Sequence, residues 1–521
     1  GTSLRVTWIF EPAHELALSL DTGYRNETVE IAGASLDGGK AVLAHGSSVT
    51  LTAREESDEI PKAHFAFWRG DIGDADPSNH VLTLVMDRPR QVTAVFDHDW
   101  YIGTVPDAGS DGTMTDGKWT VRFLRRDDSG QRRTMNIGKS WSIGAVVSGA
   151  GRINLDTRIT DADGSEWVAD SMESNAFRFT AAGDQQNVVT DCTFPKTLTR
   201  IGQYVFYGCT SVTNVVVDCP LLTEAGYGHF YECTNLQRLK FKCDILEDFD
   251  LRDGKDAYLG LLGRPDYATP SASARLEELE LFLPALKCVP PNFCCAGPLT
   301  RTDATAWRFD SATNVCTRAF FAKTYAPGPY GTLSLPALET ISGYRIAWSR
   351  GFDAIRLGSG ELRDLGRTVH EDGVSYDVMN EFRDCRRLGR IEIGLASNAY
   401  LEPGLFSGEG LTGITNVTFT GAAPSGPELF AGLAVRAPAG RTVRFYASRL
   451  QPGWTEADFP ATCAAAGIVP RGQMSDEDRA AVRGLPREER RQFMGLVYDG
   501  KPFGWLFDTV PWSAGFRMIV K

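Results

Sequence analysis

The chain has 521 residues, 23% of them charged and 42% hydrophobic, with a formal net charge of -12. At about 150 residues per unit this length predicts three or four units, and the composition is that of a chain that folds rather than stays disordered. The acidic balance argues against a nucleic acid or an anionic membrane as the main partner, because both need a basic face. No stretch reaches the roughly 18 apolar residues of a membrane-spanning helix. No signal peptide is visible, and Gly1-Thr2-Ser3 reads as a cloning remnant, so a fragment without its export signal and anchor is expected.

Residues 1–98 read as a small all-β module. Val49, Leu51 and Ala53 alternate after Gly46, and Phe65, Phe67 and Trp68 precede Arg69-Gly70-Asp71. A last strand is expected at Val92, Ala94 and Phe96, following Pro89. Period-two alternation bounded by Gly, Pro and Asp is the signal of a half-buried strand. Asp71, Asp74, Asp76 and Asn79 are clustered oxygen ligands that could form a calcium loop, yet the EF-hand spacing and its closing Glu are missing, so a polar turn is the other reading. Arg69-Gly70-Asp71 spells an integrin-type tripeptide, although the adjoining Trp68 belongs in a core. His14, His45, His64, His80 and His98 are not spaced as metal ligands. Gly46, Val49, Leu51 and Ala53, then Trp68, Gly70 and Asp71, then Pro89, Val92, Ala94 and Phe96 make this block similar to the divergent InlB B-type repeats of bacterial surface proteins. That resemblance implies a β-grasp-like spacer beside a binding domain.

Residues 99–118, rich in Gly, Asp and Thr, read as a linker. Residues 119–176 read as a β-rich N-terminal cap, with Trp119, Val121 and Phe123 alternating and Ile153, Leu155 and Ile159 following.

Two stretches, Leu198 to Cys219 and Leu222 to Cys243, carry one pattern. Leu198, Ile201, Phe206, Cys209, Val212, Val215, Val217 and Cys219 are matched 24 residues on by Leu222, Ala225, Phe230, Cys233, Leu236, Leu239, Phe241 and Cys243. A fixed period in this range marks a stacked repeat, whose single apolar face is buried only by its neighbours. Val215 and Val217 point to one side of a short strand, as do Leu239 and Phe241, so parallel strands lying side by side are predicted, with Phe206 over Phe230 behind them. Phe382, Cys385, Leu388, Ile391 and Ile393 form another copy. Phe406 and Phe430 continue the step with Glu409 and Leu433 in place of Cys, and looser copies occur at Leu283 to Val289 and Leu335 to Ile341. The motif Phe-x-x-Cys-Thr, present as Phe206 to Thr210 and Phe230 to Thr234, resembles the BspA-type leucine-rich repeats of bacterial surface proteins, and the resemblance covers roughly half the chain. A leucine-rich repeat solenoid is expected over residues 177–450.

Eleven cysteines are present. Cys209 with Cys233, and Cys219 with Cys243, fall in columns where neighbouring repeats could bring them to disulfide distance, or leave them as small buried thiols. Cys294-Cys295 lacks the spacing of a zinc site. Inserts at Leu251 to Ala274 and at the Pro-rich Tyr325 to Tyr330 break the pattern, and inserts tend to emerge on one face. Tyr267, Tyr325 and Tyr330 are therefore the candidate ligand-binding residues, with loop anchoring as the alternative.

Residues 451–521 read as a C-terminal α+β cap or the start of a further domain. Ser475 to Asp478 opens a helix whose apolar face is Phe493, Met494, Leu496 and Val497, and strands follow with Trp505, Phe507, Trp512 and Phe516. The chain shows no nucleophile elbow, no His-Glu-x-x-His and no phosphate loop. The expected fold is mainly β: a parallel-strand solenoid, preceded by a small all-β module and closed by an α+β cap. The expected function is that of a non-enzymatic, monomeric extracellular protein without a cofactor. The BspA resemblance implies adhesion to a host or neighbouring-cell protein or glycan. A structural stalk and a carbohydrate-active enzyme with a loop-built cleft are the alternatives.

Overall fold

The computed structural model describes residues 12–21, 27–55, 61–126, 133–138, 145–178, 188–249, 261–262, 275–290, 293, 307–316, 331–342, 352–365, 382, 385–401, 413–414, 416–422, 444–448, 476, 496–498 and 501–508. They fall into two compact units, one of residues 1–139 and 145–169, the other of 140–144 and 170–521.

In the first unit, a sheet runs in the order Lys40–Ala44, Ala13–Asp21, Arg90–His98, Ala63–Gly70, with Ala13–Asp21 parallel to Arg90–His98 and the other pairs antiparallel. A second, antiparallel sheet joins Thr28–Ala32, Ser48–Arg54 and Val81–Val85. Val49, Leu51 and Ala53 are buried on one sheet and Val92, Ala94 and Phe96 on the other, in one core with Leu16, Trp68 and Leu84. The alternation read from the sequence is thus the inward row of two facing sheets.

Residues 99–118 are not a linker. They supply the strands Trp100–Ile102 and Asp111–Thr115, and Trp100, Ile102 and Met114 are buried. Short strands joined by tight turns have the same Gly- and Asp-rich composition as a tether, and here the turn residues are used: Asp116 Oδ1 accepts the amides of Lys118 at 2.9 Å and Trp119 at 2.6 Å. These strands join Thr120–Arg125, Arg133–Ile137, Ile159–Asp161 and Glu166–Met172, and the pairing of Arg133–Ile137 with Glu166–Met172 closes the sheet into a six-stranded barrel. Trp119, Phe123, Met135 and Trp167 fill it.

The second unit is a ladder of parallel strands. Val189–Thr193, Asn214–Asp218, Arg238–Lys242, Glu278–Phe282 and Trp307–Arg308 pair in sequence order. The register places Val215 beside Leu239 and Leu279, and Val217 beside Phe241 and Leu281, all buried. A second ladder of short strands links Ser171 and Met172 to Arg200–Ile201 and then Glu224–Ala225. Cys288–Val289, Asn314–Cys316 and Thr340–Ser342 form a third. Further along, Gly331–Leu335, Phe352–Leu365, Arg390–Leu401, Asn416–Phe419, Arg444–Ser448 and Lys501–Asp508 form a parallel sheet, with Leu496–Tyr498 antiparallel at its end. The strand at Trp505 and Phe507 therefore extends the ladder. Of the helix expected from Ser475, Asp476 is described, whereas Leu496 and Val497, expected on its apolar face, form a strand paired with Phe503 and Pro502; Phe406, Phe430, Phe493, Met494, Trp512 and Phe516 lie outside the described residues.

Behind the strands the predicted phenylalanine column is present. Phe177 stacks on Phe206 at 4.8 Å, and Phe206 on Phe230 at 5.8 Å and 15°. Cys192, Cys209, Cys219, Cys233, Cys243, Cys288 and Cys385 are thiols outside any disulfide. Cys209 donates to Phe177 O at 3.2 Å, Cys233 to Phe206 O at 3.1 Å and Cys219 to Pro195 O at 3.3 Å, each reaching the preceding repeat. Burial pushes the Cys209 thiol up to about 12 and the Cys233 and Cys243 thiols well above the ordinary value, so none forms a reactive thiolate. In native protein the peptides carrying Cys209, Cys219, Cys233 and Cys243 should resist a thiol reagent at pH 8 and label after denaturation. Labelling in the native state, read by peptide mass spectrometry, would contradict this packing.

His229 occupies the core place that Val205 holds one repeat earlier. Its ring lies against Phe230 and Phe241 and neither nitrogen makes a hydrogen bond of normal geometry, the Gly226 backbone being only a weak polar neighbour. Burial lowers its pKa to about 4. The unfolded chain then binds a proton that the folded chain refuses between about pH 6.5 and 4, so stability falls on acidification through that window, by about 3 kcal/mol in all. His229→Leu should flatten this acid dependence of chemical denaturation; an unchanged slope would show that His229 is not the group responsible.

Candidate functional site

The sequence-predicted site residues Tyr267, Tyr325 and Tyr330 lie outside the described residues, as do Cys294 and Cys295. The acidic cluster of the first unit is a braced turn. Asp71 accepts from Arg88 Nε at 3.0 Å and Nη2 at 2.9 Å and from Arg90 Nη1 at 3.2 Å, and the Arg88 bond holds its carboxyl below the usual range. Asp76 accepts the Ser78 amide at 2.9 Å and hydroxyl at 2.7 Å, and Asn79 Oδ1 the Val81 amide at 3.0 Å. Among the described residues no group of three or more His, Cys, Asp or Glu could hold a metal ion. Arg69 is paired with Asp21 at 3.1 Å, and Gly70 is pinned at φ 109°, where a Cβ would meet Gln91 O at 2.2 Å. The tripeptide is thus a strand end locked from both sides.

A polar recess of about 20 Å³ opens in the same unit among Asp21, Asp97, His98, Asp116, Lys118, Arg152 and Asn154. Arg152 grips Asp97 with both guanidinium nitrogens, and Asn154 donates to Asp97 Oδ2 at 2.6 Å. His98 bonds buried Glu27 by its other face, and Thr157 donates to the His98 carbonyl at 2.7 Å. The recess holds about one water molecule, too little for a sugar ring, and its charged groups are tied to one another. It ties the two-sheet module, through Asp97 and His98, to Arg152, Asn154 and Thr157 of the same unit. Cutting that joint with Arg152→Ala leaves Asp97 partly buried beside Asn154 alone and should lower the thermal midpoint of the first unit by several degrees, about 2–3 kcal/mol; an unchanged midpoint would remove the joint from this account.

The second unit carries two exposed features. On the strand face, outward side chains pair across neighbours, Lys242 with Asp218 at 3.6 Å and Lys240 with Glu280 at 3.5 Å, while Phe282 sits between Lys242 and Arg308 at 5.6 and 5.0 Å. These charges are satisfied within the sheet, and such exposed pairs contribute little to stability. On the turn before the strands, aromatic side chains gather. Arg178, Tyr207 and Tyr231 follow the column residues Phe177, Phe206 and Phe230. The Arg178 guanidinium lies 3.9 Å from the Tyr207 ring centre, and Tyr207 stacks on Tyr231 at 5.1 Å and 18°. Tyr204 meets Tyr207 edge-on at 5.7 Å and 81°, and buried Tyr227 at 5.2 Å and 74°. Tyr204, Tyr207 and Tyr231 are half-buried.

Tyr204 has φ 56°, the left-handed region, at the place held by Asn175 in the preceding repeat and Gly228 in the next. A non-glycine residue there costs about 1–2 kcal/mol. Gly228 makes room for its ring, since a Cβ on Gly228 would lie 2.7 Å from Tyr204 Cδ1 and Cε1. These tyrosines were not among the sequence-predicted site residues, although each Phe-Tyr pair stands openly in the repeat motif. Attention to which motif positions point away from the core would have found them.

The family comparison falls on this region. Residues 173–249 match the model of a BspA type leucine-rich repeat region of six copies. These residues are BspA-type leucine-rich repeats. The match contains both full motif copies and the phenylalanine column, so the BspA-type repeat and the parallel ladder coincide. No curated protein matches the chain. Similar solved structures include a leucine-rich repeat protein from Bacteroides ovatus, 14% identical, TM-score 0.21, covering 64% of this chain and 85% of its own. A leucine rich cell surface protein from Faecalibacterium prausnitzii is 13% identical, TM-score 0.27, covering 65% and 89%. Pneumococcal vaccine antigen PcpA is 13% identical, TM-score 0.21, covering 69% and 97%. Scores this low describe loose likeness, and the assignment rests on the repeat.

Proposed function

We propose that this chain is an extracellular, non-enzymatic bacterial surface protein whose BspA-type repeats form a leucine-rich solenoid that binds a host or neighbouring-cell protein or glycan. The observation that supports it is the ladder of parallel strands from Val189–Thr193 to Trp307–Arg308, which sets successive repeats side by side in register. A stack of this kind presents repeated side chains over a length no single loop spans, and its function lies on that surface. The two-sheet module of residues 12–98 acts as a B-repeat-like spacer. Its bonds to Arg152, Asn154 and Thr157 favour a stiff arm over a flexible tether. Ser171 and Met172 pair with the first short rung at Arg200 and Ile201.

Intact chain passed over immobilised glycans and extracellular-matrix proteins should show saturable binding, unchanged by Arg69→Ala in the first unit, with no release of reducing ends from the glycans. Absence of saturable binding to either class would leave the stalk reading in its place, and release of reducing ends would make the protein an enzyme.

A further inference from the structure

We propose that His14 and His45 form a two-histidine chelate for a divalent ion of the nickel and copper kind. The site lies in the first unit and does not depend on the binding role proposed above for the repeats.

The two residues are 31 positions apart, so no local spacing announces them, and sheet pairing brings them together. His14 lies on Ala13–Asp21 opposite Leu43 of Lys40–Ala44, and His45 follows two residues after Leu43. Residues two apart share a face, so His45 is the diagonal neighbour of His14, at the rim of the side that carries Leu16 and Leu43 into the core. Both backbones are held there. The His45 amide donates to Pro12 O at 2.7 Å, and the turn that follows is fixed by the Gly46 amide on Met86 O at 2.9 Å and the Ser47 amide on Ala44 O at 3.1 Å. The bases of the two side chains are therefore set before any ligand arrives, which lowers the ordering cost of a chelate.

The tips meet. His14 Nε2 and His45 Nδ1 are 2.9 Å apart, with ring centres at 5.2 Å and planes at 62°. The group between them is a proton that one ring donates to the other. A metal ion takes its place when each ring turns a lone pair toward it and carries its N–H on the other nitrogen. His14 is half-buried and His45 exposed, so the rings have room to turn and water reaches the remaining coordination positions. The other described histidines are placed differently. His64 and His98 each face a carboxylate, of Asp99 and Glu27, His229 is sealed in a core, and His80 is exposed in a segment of its own.

Donor set and geometry select the ion. Neutral imidazole suits copper, nickel and zinc and leaves aside Ca2+ and Mg2+, which take oxygen ligands. With metal–nitrogen bonds of about 2.1 Å, nitrogens 2.9 Å apart enclose about 90°. That is the angle between neighbouring positions in the square-planar or tetragonal field of Cu2+ and Ni2+, whereas tetrahedral Zn2+ needs its nitrogens about 3.4 Å apart. Among the described residues no third His, Cys, Asp or Glu completes a metal cluster with the pair, so water fills the other positions and the ion is held reversibly. A bound ion clips the start of Ala13–Asp21 to the turn at Gly46, and the net charge of -12 favours its approach.

The probe is Ni2+, titrated into the full chain by calorimetry in a non-chelating buffer. One equivalent should bind in the micromolar range and raise the thermal midpoint of the first unit by mass action, and Ca2+ should give no heat. His14→Gln and His45→Gln, each of which leaves a polar side chain at the rim, should weaken binding about tenfold or more, and combining them should weaken it little further, the mark of one shared ion. His80→Gln, a control at an exposed histidine, should bind as the parent chain does. Ni2+ should also protect His14 and His45, but not His80, from diethyl pyrocarbonate, read by peptide mass spectrometry. No binding of Ni2+ at millimolar concentration, or parent-like binding by either single variant, overturns the chelate. Several weak equivalents that neither variant changes would show an adventitious ion only and overturn it too.

Discussion

The second unit depends on the contact between one rung and the next. A single 24-residue repeat cannot bury Phe206 or Val215 on its own. Phe206 is covered by Phe177 on one side and Phe230 on the other, and Val215 by Cys192 and Leu239. Apolar burial supplies the drive, at about 25 cal/mol per Å² removed from water, and the parallel hydrogen bonds supply the registration. Shifting one rung by a residue would turn Val215 and Val217 outward and put Val216 inward, which makes any other register much less favourable.

The turns are held by the same neighbour relation. A turn leaves backbone carbonyls that its own residues do not satisfy. Here the next repeat supplies the donors: Thr213 Oγ1 to Thr190 O at 3.0 Å, Thr223 Oγ1 to Thr199 O at 3.1 Å, Cys233 Sγ to Phe206 O at 3.1 Å and Asn235 Nδ2 to Thr210 O at 2.7 Å. This gives the Cys of the motif a physical reason: it must be small enough for the column and able to donate one hydrogen to the rung behind. A disulfide between Cys209 and Cys233 would remove both donors, so the thiol form fits the ladder better than the cross-link does.

The inward rows, the phenylalanine column and the period were legible in the sequence because they follow from one rule, that buried positions repeat with the backbone. Val49, Leu51, Val92 and Phe96 were legible through alternation for the same reason. The strands at Trp100 and Asp111 were not, since they are short and their turns use the residues that also make tethers. Closure of the barrel was not legible either, because the pairing of Arg133–Ile137 with Glu166–Met172 is set by strand tilt and not by any local pattern. The placement of Tyr204, Tyr207 and Tyr231 was not legible, because a period marks the buried positions of a repeat and is silent on how the side chains between them turn.

His229 and Tyr204 depart from the repeat rule in opposite ways, and the difference separates cost from use. His229 puts a neutral, poorly bonded imidazole where Val205 stands one rung earlier, in a sealed core that reaches no surface; its cost has no evident return in the folded chain. Tyr204 puts a bulky side chain where Gly228 stands one rung later, and its cost yields a ring fixed at the surface against Tyr207. A stack of near-identical rungs tolerates both, because each rung is braced by two neighbours and a local penalty of one or two kcal/mol does not unzip the ladder. Repeats therefore give a chain freedom to carry an unfavourable residue at single positions without losing the stack.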